Sequence, residues 1–215
     1  MDLNRRGLLI SGAALAMLGA AARAAGALLP TPPQTSGPFY PLTLPLDSDN
    51  DLVQVAGRSE RAAGTVLHLA GRVLDCDGRP VPGARVELWQ CDAFGVYHHP
   101  RDPRGPADAN FQGFGATTAA ADGGYRFRTI EPVPYPGRTP HIHFTLTGPG
   151  FERLTTQMYL AGHPLNERDG LYRRIGDPVA RAAVTVALLP APELEPETGR
   201  PAKRATFDIV LGLVT

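Results

Sequence analysis

The residues best placed to do chemistry are His141 and His143, two apart in the stretch PYPGRTPHIHFTL (Pro134 to Leu146). If that stretch is a strand, both imidazoles emerge on one face, while Ile142 and Phe144 turn to the other. Two imidazoles side by side suit a shared metal ion. The same spacing also describes two histidines on a solvent-facing strand, and the pair alone does not separate these readings. Tyr135 and Arg138 stand just upstream, and Tyr97 closes the segment LWQCDAFGVY.

The neighbours bear on which metal. A three-histidine zinc site would need His68, His98, His99 or His163 from another element. A site of histidines plus one glutamate needs an acid soon after the pair, yet the first is Glu152. Neither Cys76 nor Cys91 lies near the pair, which disfavours a structural zinc site of cysteine and histidine. What stands near is tyrosine. A phenol has a free pKa of ~10, and a hard trivalent cation is needed to hold it as phenolate at neutral pH. Ferric iron meets that requirement better than divalent zinc or manganese.

At these residues the chain resembles the intradiol ring-cleavage dioxygenases. The resemblance runs through TSGPFYP (Thr35–Pro41), GRVLDCDGRPVPGARVELWQCDAFGVY (Gly71–Tyr97) and FQGFGATTAAADGGYRF in outline (Phe111–Phe127). It continues through YPGRTPHIHF (Tyr135–Phe144) and LTTQMY (Leu154–Tyr159). It implies four ligands to a non-haem Fe(III): Tyr97, Tyr135, His141 and His143. Tyr135 and His141 would be axial, and Tyr97 and His143 equatorial. It implies a catalytic role for Arg138 and Gln157 beside the iron, and for Tyr135 as the ligand that substrate displaces. It also implies substrate contacts from Thr35, Pro38 and Tyr40. The reaction implied opens a catechol-type ring between its two hydroxyls with O2, giving a cis,cis-muconate-type diacid. The chain has no room for the helical N-terminal domain usual in enzymes for plain catechol, and so stands nearer the compact protocatechuate-like branch. The alternatives are a non-catalytic transthyretin-like binding module, for which GRPVPGARV is common currency, and a zinc or copper redox protein.

The elements that must position these residues are strands. Of 215 residues, 24 are glycine and 22 proline, which favours a turn-rich β fold. TVLHLAGRVLD, ARVELWQCD, GGYRFRTI, HIHFTLTG, LTTQMYL and ATFDIVLGL read as short strands, several with clear alternation. Between about 166 and 184 the pattern allows a short helix or an irregular crossover. The expected fold is all-β: an antiparallel β-sandwich of the transthyretin (prealbumin) type over residues 66–215, preceded by an extended arm over 25–65. Trp89, Tyr125 and Tyr159 are expected in core or inter-sheet packing, and His98, His99 and His163 in loops or turns. Cys76 and Cys91 bracket a strand–turn–strand run. At ~3.3 Å per residue they are too far apart for a disulfide, so two buried free thiols are expected.

Residues 1–24 hold the paired Arg5 and Arg6, an apolar run to Ala22 and the small-residue end Ala22–Ala24. That is the layout of a twin-arginine export signal, too short in its apolar run to span a bilayer. The protein is therefore expected outside the cytoplasm, exported folded with its metal. Without those residues, 18 of the 21 basic and 20 of the 21 acidic residues remain, a net charge of −2. This gives no electrostatic case for nucleic acid or for an anionic membrane. The expected partners are a small catechol-type substrate and O2. A homo-oligomer is left open.

Overall fold

The computed structural model describes residues 27–213, so the expected export signal lies outside the described residues. Ten strands run in the order β1 (Val66–Asp75), β2 (Arg85–Trp89), β3 (Phe114–Thr118), β4 (Gly124–Ile130), β5 (His141–Thr147), β6 (Leu154–Leu160), β7 (Thr185–Val186), β8 (Leu189–Pro190), β9 (Ala202–Thr206) and β10 (Ile209–Leu211). Two short helices, α1 (Gly170–Arg173) and α2 (Pro178–Ala183), fill the crossover between β6 and β7. Asp169 and Asp177 cap them, the first carboxylate accepting from Leu171 and Tyr172 N–H and the second from Val179 N–H. Among the described residues no helix is long and apolar enough to cross a membrane.

The strands form two five-stranded sheets. β1 is the centre of one, with β4 antiparallel to it and β9 and β10 parallel; β8 pairs with β9. The other runs β3-β2-β5-β6-β7. Leu67 and Leu69 of β1 share one core with Val86 and Leu88 of β2, and with Ile142, Phe144 and Leu146 of β5. Phe144 meets Phe127 and Phe207 from the other sheet, with ring centroids 6.5 and 5.2 Å apart. The alternation of β5 explains this: His141 and His143 face the site, and Ile142, Phe144 and Leu146 face the core.

The all-β class holds, and four details differ from expectation. The sheets are mixed, because β9 and β10 run parallel to β1 and β7 runs parallel to β6. A period of two records which face is buried, not the direction of the neighbouring strand. The strands either side of Asp77–Pro82 belong to different sheets. Only the turn itself is paired, by the Leu74–Pro80 bridge. ATFDIVLGL is likewise not one strand: β9 and β10 are broken at Phe207 and Asp208. There the Phe207 N–H donates to Ala70 O, and the Arg72 N–H donates to Asp208 Oδ1. Both cysteines are free, but only Cys91 is buried and Cys76 is half-buried.

The arm carries no strand or helix over 27–65. Hydrogen bonds hold it to the sheets: Thr31 N–H to Val210 O and Val210 N–H back to Thr31 Oγ1, Gln34 N–H to Thr155 O, and the Thr156 hydroxyl to Pro32 O. Its Thr35–Tyr40 stretch thereby reaches the start of β5 and the end of β2.

Candidate metal centre

β5 delivers both histidines to one face, their ring centroids 4.9 Å apart. His141 Nδ1 lies 2.7 Å from Thr139 O. A carbonyl only accepts, so Nδ1 carries the proton and Nε2 of the neutral ring keeps its lone pair. That Nε2 faces the Tyr135 hydroxyl at 3.5 Å. Burial, with Arg138 adding to it, pushes His141 down to about 3. Burial, His141 and Arg138 hold His143 well below the usual histidine range. Both imidazoles are therefore neutral at pH 7, the form that binds a metal.

Tyr97 and Tyr135 come from two loops, after β2 and before β5. Their rings meet edge to face at 5.9 Å, and Tyr97 meets His143 at 6.2 Å. Burial, then Tyr135 and Cys91, raises Tyr97 well above the ordinary phenol range. Burial raises Tyr135 too, against the pull of Arg138. The Tyr97 hydroxyl and His143 Nδ1 are buried without a hydrogen-bond partner. An unsatisfied buried hydroxyl costs roughly 1–3 kcal/mol, which a bound cation would offset. No three His, Cys, Asp or Glu residues cluster for a metal among the described residues. Any ion held here therefore depends on the phenols, and two phenol oxygens with two neutral imidazoles fit a hard trivalent cation.

The surroundings hold the donors in place. Trp89, opposite His143 in the β2–β5 register, stacks on that ring at 4.8 Å and 9°. It is buried in a small hydrophobic cluster, as core packing requires, and that cluster is also a wall of the site. Tyr125 and Tyr159 do pack in the main core. Cys91 lies in the small cluster with Trp89, Tyr97 and Phe114, and burial pushes its thiol up to about 12. Arg138 is anchored on two sides, its Nε donating to Asp169 Oδ2 at 2.8 Å and its Nη2 to Gln157 Oε1 at 2.5 Å. Gln157 Nε2 in turn donates to Thr35 O at 3.0 Å, tying the arm to the site.

A cavity of about 500 Å³ opens beside Tyr135 and Arg138, walled by Pro134, Pro136 and Leu165 and carrying Arg168. Thr35, Pro38 and Tyr40 do not line it. Thr35 Oγ1 accepts from Gly37 N–H, Pro38 is exposed, and the Tyr40 hydroxyl donates to Glu87 at 2.9 Å. The arm approaches the donors at Gly37, at φ +68°, where a Cβ would lie 3.6 Å from His143 Cε1, and at Phe39, whose ring stacks on Tyr97. His98 and His99 sit in the loop after Tyr97, and His163 in a turn, its Nδ1 accepting from Leu165 N–H. Sequence reasoning missed Asp102, Arg104 and Asp169. Only one weak signal pointed to Asp169, its place as a helix cap.

Two facing mixed sheets thus bring two tyrosines and two histidines together at the start of β5. Residues 35–212 match the sequence profile of the family Dioxygenase_C, described as Dioxygenase. Protocatechuate 3,4-dioxygenase beta chain of Burkholderia cepacia is 43% identical over 134 residues, 58% of this chain and 57% of that one. Hydroxyquinol 1,2-dioxygenase of Nocardioides simplex is 34% identical over 195 residues, 81% of this chain and 62% of that one. Among solved structures, the dioxygenase domain of a carbohydrate-binding fusion from the cellulolytic bacterium Streptomyces sp. SirexAA-E is similar. It aligns with a TM-score of 0.65 at 32% identity, over 86% of this chain and 99% of that one. The chain belongs to the intradiol ring-cleavage dioxygenase family. It spans about 60% of the length of the two enzymes named first.

Proposed function

We propose that this protein is a non-haem Fe(III)-dependent intradiol dioxygenase, taking a catechol-type substrate and O2 to a cis,cis-muconate-type diacid. Tyr97, Tyr135, His141 and His143 would hold the iron. The observation that carries the reading is the chain of ring contacts from Tyr135 to Tyr97, Tyr97 to His143 and His143 to His141, around a buried Tyr97 hydroxyl that has no hydrogen-bond partner. Ferric iron, when bound, supplies Lewis-acid activation of the catechol toward O2.

The chain's own residues do the rest. Tyr135 is the phenol that borders the cavity, and its oxygen would take a proton from an incoming catechol hydroxyl. Arg138, permanently cationic and fixed by Asp169 and Gln157, sets a positive charge where negative charge builds on the ring. Pro134, Pro136 and Leu165 give the ring an apolar bed. The cavity is roomier than one ring needs, and Arg168 in its wall makes no ion pair among the described residues. A catechol bearing an acidic substituent suits that wall. The transthyretin-type sandwich, and export directed by Arg5 and Arg6, belong to the same proposal. Amino-terminal sequencing of protein from the periplasmic and cytoplasmic fractions tests export; protein confined to the cytoplasmic fraction with an intact Met1 terminus counts against it.

The deciding experiment is on freshly purified, untreated protein. Bound iron, a phenolate-to-Fe(III) absorption band that moves when catechol is added, and O2 uptake with diacid formation are expected. Colourless, iron-free protein after expression in iron-replete cells refutes the reading.

A further inference from the structure

The loop after Tyr97 places a cation where the function described above does not call for one. Arg104 reaches back over the site, and its guanidinium lies 4.3 Å from the centre of the Tyr135 ring, 5.8 Å from that of Tyr97 and 5.3 Å from that of Phe39. Phe39 is itself stacked on Tyr97 at 4.9 Å. Arg104 Nε donates to Asp102 Oδ1 at 2.7 Å and Nη2 donates to Asp102 Oδ2. That carboxylate is fully buried, and its Oδ2 also accepts the backbone N–H of Tyr97 at 2.7 Å. One side chain thus grips the backbone of one phenol through Asp102 and lies against the rings of both.

A loop staple alone would need only the two nitrogens that meet Asp102. The third, Nη1, is buried with no hydrogen-bond partner. Removing a guanidinium N–H from water without an acceptor is unfavourable, and a ring face offsets it in part through its quadrupole. The offset grows when the ring carries negative charge, which is the state of a tyrosine bound to a trivalent cation. The arrangement is therefore favourable in a metal-loaded site and only tolerated in an empty one.

We propose that Arg104 is a positioning residue for the metal centre, bracing Tyr97 and Tyr135 together and compensating the charge of both phenol donors. This rests on the iron reading above. In that reading the absorption band moves an electron from phenolate toward iron, away from the Arg104 charge. A cation lying nearer the donor raises the energy of that transfer.

The test compares Arg104→Met, which keeps length and loses charge, with Arg104→Lys, which returns charge without the planar fork. In Arg104→Met the band is expected at longer wavelength, and iron is lost to chelator at about 10-fold lower concentration, the scale typical when a group supporting a metal ligand is removed. Arg104→Lys is expected to recover part of the band shift, since the charge returns but the bidentate grip on Asp102 does not. A folded Arg104→Met protein with the wild-type band and wild-type iron retention overturns the proposal. If the wild type itself proves iron-free, the iron reading fails separately. Crystal structures then decide on Arg104: a displaced Tyr135 ring in the Met variant supports the bracing role, and an unmoved ring overturns it.

Discussion

Arg138 and Asp169 form an ion pair at 2.8 Å that joins the loop before β5 to the N-terminus of α1. Asp169 is fully buried, and besides Arg138 it accepts the N–H groups of Thr139, Leu171 and Tyr172. Burial opposes its charge, yet the Arg138 hydrogen bond and those backbone donors hold it below the usual carboxylate range. Asp169→Asn keeps the shape and removes the charge that anchors Arg138. A fall in kcat/KM of about 10- to 100-fold is expected, as for loss of a group orienting an active-site residue. Asp169→Ala, which also removes the cap, should cost roughly 3 kcal/mol in urea unfolding. Wild-type kinetics in the Asn variant would show that Arg138 needs no anchor.

The two phenols should respond differently to loss of the hydroxyl. Tyr97→Phe removes a buried oxygen that has no partner, so chelator-treated protein is expected to gain about 1 kcal/mol of stability. The same change should strip the iron colour. Tyr135→Phe is expected to keep part of its iron and turn over slowly, because Tyr135 borders the cavity and its oxygen is only 3.5 Å from His141 Nε2. Metal content, visible spectra and thermal unfolding of the chelated proteins check both; a destabilised metal-free Tyr97→Phe would contradict the account of the empty site.

Glu195 makes acid stability depend on one carboxylate far from the site. Arg128 reaches it through Nε at 2.7 Å and Nη2 at 2.9 Å, and His68 at 3.1 Å. The Arg128 hydrogen bond, against the opposing effect of burial, lowers Glu195 from the ordinary 4.5 to about 2. A depressed folded-state pKa adds stability above the unfolded value and loses it as pH falls toward the folded one. Glu195→Gln is expected to cost about 2 kcal/mol at pH 7, with the gap to wild type closing between about pH 4.5 and 2. Urea midpoints of both proteins across that range measure it; a constant gap would contradict the linkage.

Gly71 sits in β1 opposite the break between β9 and β10. A Cβ there would run into the Phe207 carbonyl, and would lie 2.9 Å from Tyr125 Cε1. Because the obstacle is backbone, Gly71→Ala should destabilise by roughly 3 kcal/mol, the upper end of overpacking penalties. Iron loading of the protein that does fold should be unchanged, since β5 and its histidines lie in the other sheet.

Arg168→Gln tests the acidic-substituent part of the proposal. The KM for 3,4-dihydroxybenzoate should rise about 5-fold, the value of one partly exposed ion pair, and that for its methyl ester should stay put. Equal changes for acid and ester would remove Arg168 from substrate selection.

Much of the site was legible because its signals are local. His141, Ile142, His143 and Phe144 alternate, and the structure gives the even pair to the core and the odd pair to the site. The family resemblance, not a local signal, set Arg138 and Gln157 each beside the iron, and a direct hydrogen bond joins the two. Three parts were not legible. The partners Asp169 and Arg104 lie in irregular segments where a carboxylate or guanidinium is ordinarily a solvated charge. Trp89 reads as an alternating core residue, and only the β2–β5 register places it flat on His143. The direction of β9 and β10 depends on where the chain returns, which hydrophobic alternation does not encode.

What the sequence by itself determined is the donor chemistry. Phenol and imidazole in one segment, few acids beside them, and alternating strands to present them follow from residue type and a period of two. What only the tertiary structure decided is which distant groups complete the centre. Tyr97 meets Tyr135, Asp169 meets Arg138 across 31 positions, and Arg104 meets both phenols, because packing two sheets and closing their loops sets distances that sequence separation does not carry.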